Sequence, residues 1–270
     1  MSPIVVAHRG ASAHRAEHTL AAYELALTHG AQGVECDIRV TRDGHLVCVH
    51  DRRVDRTSDG RGVVSEKTLA ELAAHDFGHW HDELPDSADT LVREPTSRPS
   101  AERSERGLLT LDDLLGLVTD IAPDTMLFIE TKHPVRYGGL VEAKLVALLA
   151  RHGLSKPADP ADSRVVVMSF SALAMHRMRA HAPTLPTVLL LDSIGGSRRD
   201  GSLPPGVTMT GPGVHLLRED PGYVARAAAH GHETYCWTVD AEPDVRLCQR
   251  LGVRYLATNS PAATSAVLAG

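Results

Sequence analysis

Three short stretches hold the reactive side chains of this 270-residue chain. The apolar run "VVAHRG" ends on His8 and Arg9, a titratable base and a fixed cation where a strand would stop. Glu35 and Asp37 lie two apart in "GVECDIRV", and Glu130 and Lys132 two apart in "FIETK". Residues two apart on a strand share a face, so the charged groups of each segment point one way. Carboxylates on apolar strands are costly to bury unless a cation or metal compensates them. Three that converge from two strands repel one another, and a divalent cation resolves that repulsion. An all-oxygen ligand set favours Mg²⁺ or Ca²⁺ over zinc. The competing arrangement ties the acids to Arg9, Arg39 and Lys132 as salt bridges.

His50 joins this group through a hairpin. In "RVTRDGHLVCVHD", Asp43-Gly44 separates two alternating segments and reads as a two-residue turn. That register pairs Arg42 with His45 and sets Asp37 opposite His50, close enough for cross-strand partners to interact. A one-residue change in register would turn His50 away. Two histidines beside a metal, with Arg9 and Lys132 at hand, suit phosphodiester cleavage. The cations stabilise charge on phosphoryl oxygens. One imidazole takes a proton from the nucleophile and the other gives one to the leaving alkoxide.

The elements that must position these groups alternate along the chain. Strands are expected at 4–8, 33–40, 45–50, 126–131, 164–170, 187–191, 207–210, 234–239 and 254–258. Helices are expected at 18–28, 69–75, 111–119, 140–152, 172–181, 223–230 and 244–251. Near-continuously apolar strands alternating with helices imply a parallel sheet covered on both faces. About eight such units in about 250 residues match a TIM (β/α)8 barrel, in which active sites gather at the C-terminal ends of the strands. A doubly wound open sheet competes, but no Gly-rich phosphate loop follows the first strand. The whole of 1–270 reads as one catalytic domain. Residues 52–107, rich in Ser, Pro and charge, read as a solvated insertion after the hairpin, partly disordered. Trp237, ending the seventh barrel strand, is a candidate pocket wall.

Composition narrows the function classes. A net charge of −6 and 4% aromatic residues speak against nucleic-acid binding. Four separate cysteines without metal-ligand spacing read as buried thiols. No leader pattern or run of transmembrane length is visible, so a cytoplasmic protein without stable membrane insertion is expected. Nothing in the pattern specifies an oligomeric state.

With these residues in place, the chain resembles the glycerophosphodiester phosphodiesterase family. The likeness rests on "HRG" (8–10), Glu17 and Thr19, "GVECDIRVTRDGHLVCVHD" (33–51), "RTSDGRG" (56–62), "LLTLDDLL" (108–115), "FIETK" (128–132), "MSF" (168–170), "CWTVD" (236–240) and "GVRYLATNSP" (252–261). It implies a TIM barrel, one divalent cation, and hydrolysis of a small-molecule glycerophosphodiester to sn-glycerol 3-phosphate and an alcohol. It also implies roles: His8 and His50 as the acid–base pair, Glu35, Asp37 and Glu130 as metal ligands, Arg9 and Lys132 as phosphate contacts. Two departures stand out. The family's Pro-Glu-Asn-Thr reads Ala16-Glu17-His18-Thr19 here, which unsettles the loop and Glu17. Its late Thr-Asp reads Thr258-Asn259, expected to be structural. A lysophospholipase D or sphingomyelinase D-like enzyme is the competing activity, and a non-catalytic phosphate-ester binder the competing class.

Overall fold

The computed structural model describes residues 2–81 and 105–270. Nine strands form one sheet: β1 (Ile4–His8), β2 (Gly33–Val40), β3 (Leu46–Cys48), β4 (Met126–Thr131), β5 (Val165–Ser169), β6 (Thr187–Leu191), β7 (Met209–Pro212), β8 (Glu233–Cys236) and β9 (Tyr255–Thr258). Eight of them pair in parallel, and β1 closes the ring by pairing with both β2 and β9. The short β3 alone is antiparallel, folded back on β2. This is the expected barrel. Helices α1 (Leu20–Thr28), α3 (Leu111–Asp120), α4 (Leu140–Arg151), α5 (Ala172–His181), α6 (Val214–Glu219), α7 (Tyr223–Ala229), α8 (Glu242–Leu251) and α9 (Pro261–Ala269) cover it, with α2 (Leu69–Ala73) in the insertion. The pattern did not anticipate α6 and α9. Six residues are too few to declare a period, and α9 is nearly all small residues.

Alternation along each strand sorts two cores. Ala7, Val34, Ile129, Val167, Leu189 and Leu256 face outward into the layer beneath the helices. Val6, Phe128, Met168, Leu190, Tyr235 and Tyr255 fill the barrel interior. Both faces are buried, which is why the strands read as continuous apolar runs. The inward column changes character as it rises. On β1, Val6 is followed by His8, and on β4, Phe128 by Glu130 and Lys132. Phe128 packs against Tyr235 and Tyr255 at ring-centroid distances of 5.3 and 5.1 Å. These aromatic side chains plug the lower barrel and leave the upper rim to ionisable groups.

The hairpin departs from the expected register. Ile38 pairs with Cys48 and Val40 with Leu46, so Asp37 lies opposite Val49, not His50. The turn has three residues, not two. Thr41 N bonds to His45 O at 2.9 Å, and Gly44 takes a φ of +91°. Thr41 Oγ1 stabilises it by accepting from His45 N at 2.9 Å and donating to Asp43 at 2.6 Å. A threonine able to close the loop from its own side chain outweighed the Asp-Gly signal.

Residues 52–81 are more than a solvated decoration. Val54, Val64, Leu72 and Phe77 form a small core with Val47 and Val49 of the hairpin arm. Thr68 and Glu71 start α2 with a reciprocal capping box. Of the insertion expected over 52–107 to be partly disordered, residues 82–104 lie outside the described residues. Because Phe128 is fully buried between two tyrosine rings, Phe128→Ala is expected to lower unfolding free energy by about 3–5 kcal/mol, read from the urea midpoint.

Candidate active site

Residue pairing across β1, β2 and β4 brings the acids together. His8 lies opposite Glu35, and Asp37 opposite Glu130. Carboxylate oxygens of Glu35, Asp37 and Glu130 all fall within 4.8 Å of one another, and all three residues are buried. His8, Arg9, Glu35, His50, Glu130, Lys132 and Trp237 line one cavity of about 360 Å³ at the C-terminal rim of the barrel. Asp37 sits just beneath, 1% exposed. Every residue expected at the site is thus gathered at one place.

The salt-bridge arrangement is realised in part. Lys132 Nζ lies 2.8 Å from Glu130 and 3.3 Å from Asp37, and Arg9 Nε lies 3.1 Å from Asp37. Arg39 does not join them; its Nε and Nη2 donate to the His50 carbonyl at 3.0 and 2.7 Å. The carboxylates remain unevenly compensated. Glu35 accepts the Arg9 backbone N–H at 3.0 Å, and burial and Asp37 push its pKa well up. Burial and Asp37 likewise push Glu130 up to about 8. Burial raises Asp37 too, but Lys132, His18 and Arg9 outweigh it and hold that carboxyl low. Glu35 and Glu130 are therefore biased toward their neutral forms, Glu130 in spite of its contact with Lys132. A divalent cation fits such an oxygen set, and Arg9 Nε, buried without hydrogen-bond geometry to any acceptor, leaves a cation facing the same space.

The two imidazoles have different partners. His8 Nδ1 lies 2.8 Å from Asn259 Oδ1. An amide oxygen only accepts, so Nδ1 carries the proton and Nε2 keeps its lone pair. Asn259 is oriented by Asp240, which accepts from its Nδ2 at 2.7 Å and its backbone N–H at 2.8 Å. Burial, then Arg9, lower the His8 pKa to about 4, so the ring is neutral at pH 7. His50 Nδ1 lies 2.7 Å from the Asp51 carboxylate. The pKa of His50 is also lowered, by burial first, with Asp37 opposing and Arg9 and Lys132 adding to the fall. His50 reaches the cavity although its predicted register fails: β3 ends at Cys48, the chain bends, and Arg39 grips the His50 carbonyl.

Two functional residues escaped the sequence reading. Asn259, expected to be structural, is the partner of His8. His18 has φ +62° and is 5% exposed. Its Nε2 lies 3.0 Å from Asp37 Oδ2 and its Nδ1 2.8 Å from the Tyr23 hydroxyl. Tyr23 in turn donates to the Glu35 carbonyl at 3.0 Å. His18 therefore ends up touching one of the clustered acids, with the helix starting after it at the Thr19 cap. The departure at position 18 was the visible signal. Glu17 lies outside the helix and accepts from Arg9 at 3.1 Å and from Arg56 at 2.8 and 2.9 Å. Arg56 also holds Asp51 at 2.6 Å, which ties the insertion to the site. Gly10 turns the chain away at φ +83°, and a Cβ there would meet Ala22 at 2.6–2.8 Å. Trp237 does wall the cavity, edge-on to Phe170 at 5.4 Å, its Nε1 donating to Gly211 O at 2.7 Å.

Comparison with known proteins agrees with this geometry. Residues 8–263 match the Glycerophosphoryl diester phosphodiesterase family. The chain is 52% identical over 266 residues to a probable glycerophosphodiester phosphodiesterase 1 of Mycobacterium tuberculosis, covering 98% of this chain and 92% of that one. It is 32% identical to a glycerophosphodiester phosphodiesterase of Bacillus subtilis, covering 96% and 84% of the two chains. Among solved structures, an Oleispira antarctica phosphodiesterase in complex with the product sn-glycerol-3-phosphate superposes with a TM-score of 0.82 at 22% identity, over 100% and 98% of the chains. That likeness carries the fold. The barrel, the clustered acids and the match across nearly the whole chain make this protein a member of the glycerophosphodiester phosphodiesterase family, and an enzyme of that class.

Proposed function

We propose that the enzyme hydrolyses a glycerophosphodiester to sn-glycerol 3-phosphate and an alcohol, using one divalent cation, Mg²⁺ or Ca²⁺, held by Glu35, Asp37 and Glu130. The carrying observation is the buried carboxylate trio on the cavity lined by both imidazoles and two cations. When bound, such an ion supplies positive charge to the phosphoryl oxygens and acidifies a coordinated hydroxyl or water. His8, neutral and with Nε2 free to accept, takes the proton of the attacking oxygen. His50, paired with Asp51, returns a proton to the departing alkoxide. Arg9 and Lys132 contact the phosphate, and His18 holds Asp37 in place. The product complex of the Oleispira relative supports the substrate class.

One observation favours a second reading, cleavage of lysophospholipids. Phe170 after β5 lines the cavity and is 42% exposed, and Tyr137 and Leu140 after β4 and Leu173 after β5 are further exposed apolar groups at 41, 37 and 56%. Turnover of glycerophosphocholine and lysophosphatidylcholine, measured side by side, decides; preference for the lysolipid selects the second reading.

His8→Ala and His50→Ala are each expected to lower kcat by about 10²–10⁴, and near wild-type rates in both would remove them from the chemistry. Metal binding is expected to release protons at pH 7, because Glu130 near 8 is mostly protonated there and must ionise to act as a ligand. Calorimetry in buffers of different ionisation enthalpy reads that release. Affinity should rise with pH toward about 8, and Asp37→Asn should abolish it. Asn259→Asp is expected to raise the pKa of His8 by adding a negative charge at Nδ1. The acid limb of kcat/KM, set by loss of the neutral base, should then move to higher pH.

A further inference from the structure

Beside the active site lies a second cavity of about 320 Å³, between the insertion and the loop after β4. Three guanidinium groups line it, those of Arg39, Arg52 and Arg136. Among the described residues neither Arg52 nor Arg136 forms an ion pair, and Glu66, the one carboxylate in the wall, bridges to none of the three. Arg39 spends two of its N–H groups on the His50 carbonyl. Apart from Ser65 and Glu66 the rest of the wall is apolar, with Val64, Tyr137 and Leu140 contributing. Clustered guanidinium groups without an ion-pair partner among the described residues want an anion, and they match the geometry and double charge of a phosphate monoester. A bare phosphate would leave the apolar wall unused, while a neutral lipid would leave the cations unanswered. The volume is that of a small-molecule site.

We propose that this cavity binds a single-chain anionic amphiphile, a phosphate monoester on an alkyl or acyl chain, with the phosphate on Arg39, Arg52 and Arg136 and the chain against Tyr137 and Leu140. The site is separate from the catalytic cavity and does not depend on how the reaction there proceeds. It adjoins His50 through Arg39, so its occupant contacts the side chain that holds the proposed proton donor in place.

Titration calorimetry on the full chain, with dodecyl phosphate below its critical micelle concentration, tests it. Inorganic phosphate and dodecyl maltoside supply the head and the tail alone. The expected result is dodecyl phosphate binding at least about tenfold tighter than either. Arg52→Glu and Arg136→Glu should each weaken it by about ten- to a hundredfold, the loss of one charge-assisted contact. Both variants should hydrolyse glycerophosphocholine within about twofold of wild type, which also shows that they fold. Leu140→Trp, which keeps every charge but fills the cavity, should weaken binding to a similar degree. Unchanged affinity in both arginine variants overturns the proposal. So does equal binding by inorganic phosphate or dodecyl maltoside, or displacement of dodecyl phosphate by sn-glycerol 3-phosphate, which would place it in the catalytic cavity.

Discussion

Mutual repulsion among three buried carboxylates is the constraint around which this barrel is arranged. Glu35, Asp37 and Glu130 are brought within 4.8 Å by strand pairing that the backbone fixes. The chain cannot relieve the repulsion by moving them apart without breaking β2 from β4. It relieves part of it with Arg9 and His18, directed at Asp37, and with Lys132, which reaches both Glu130 and Asp37. Glu35 and Glu130 stay biased toward their neutral forms. A site in that condition is poised for an added positive charge. Below, Phe128, Tyr235 and Tyr255 seal the barrel so that the upper rim alone faces solvent.

The two imidazoles on the cavity follow the same logic of unequal surroundings. His8 has an amide for a partner and His50 a carboxylate, although both sit on one cavity. An amide fixes the tautomer without adding charge, while a carboxylate favours the imidazolium. Two chemically identical side chains thereby acquire hydrogen-bond partners of different charge. Left-handed backbone at Arg9 and His18, φ +59° and +62°, marks the loop that sets this geometry, and such conformations persist where surrounding contacts enforce them.

Much of this was legible in the sequence because strand alternation converts spacing directly into direction. Glu35 and Asp37, or Glu130 and Lys132, could be assigned a common face without knowing anything else. The barrel was legible for a similar reason, since continuous apolar strands separated by helices admit few architectures. What depends on loops was not. His50 was placed correctly through a register that is wrong by one residue; its true support is Arg39 reaching a carbonyl, which no spacing rule encodes. Asn259, oriented by Asp240, meets His8 from the far end of the chain, 251 residues away. Position 18 showed an unusual residue, but its contact with Asp37 needs a left-handed turn that residue type alone does not announce.

Arg56 carries a consequence for how such enzymes can be recombined. It clasps Glu17 from the first loop and Asp51 from the hairpin arm, so the excursion beginning at 52 is stapled to the barrel at two points beside the reacting groups. Swapping that excursion for one from another scaffold would strand an acid on each side unless an equivalent arginine came with it. The heritable unit is the clasp together with both its anchors, and a modular graft would have to respect that seam.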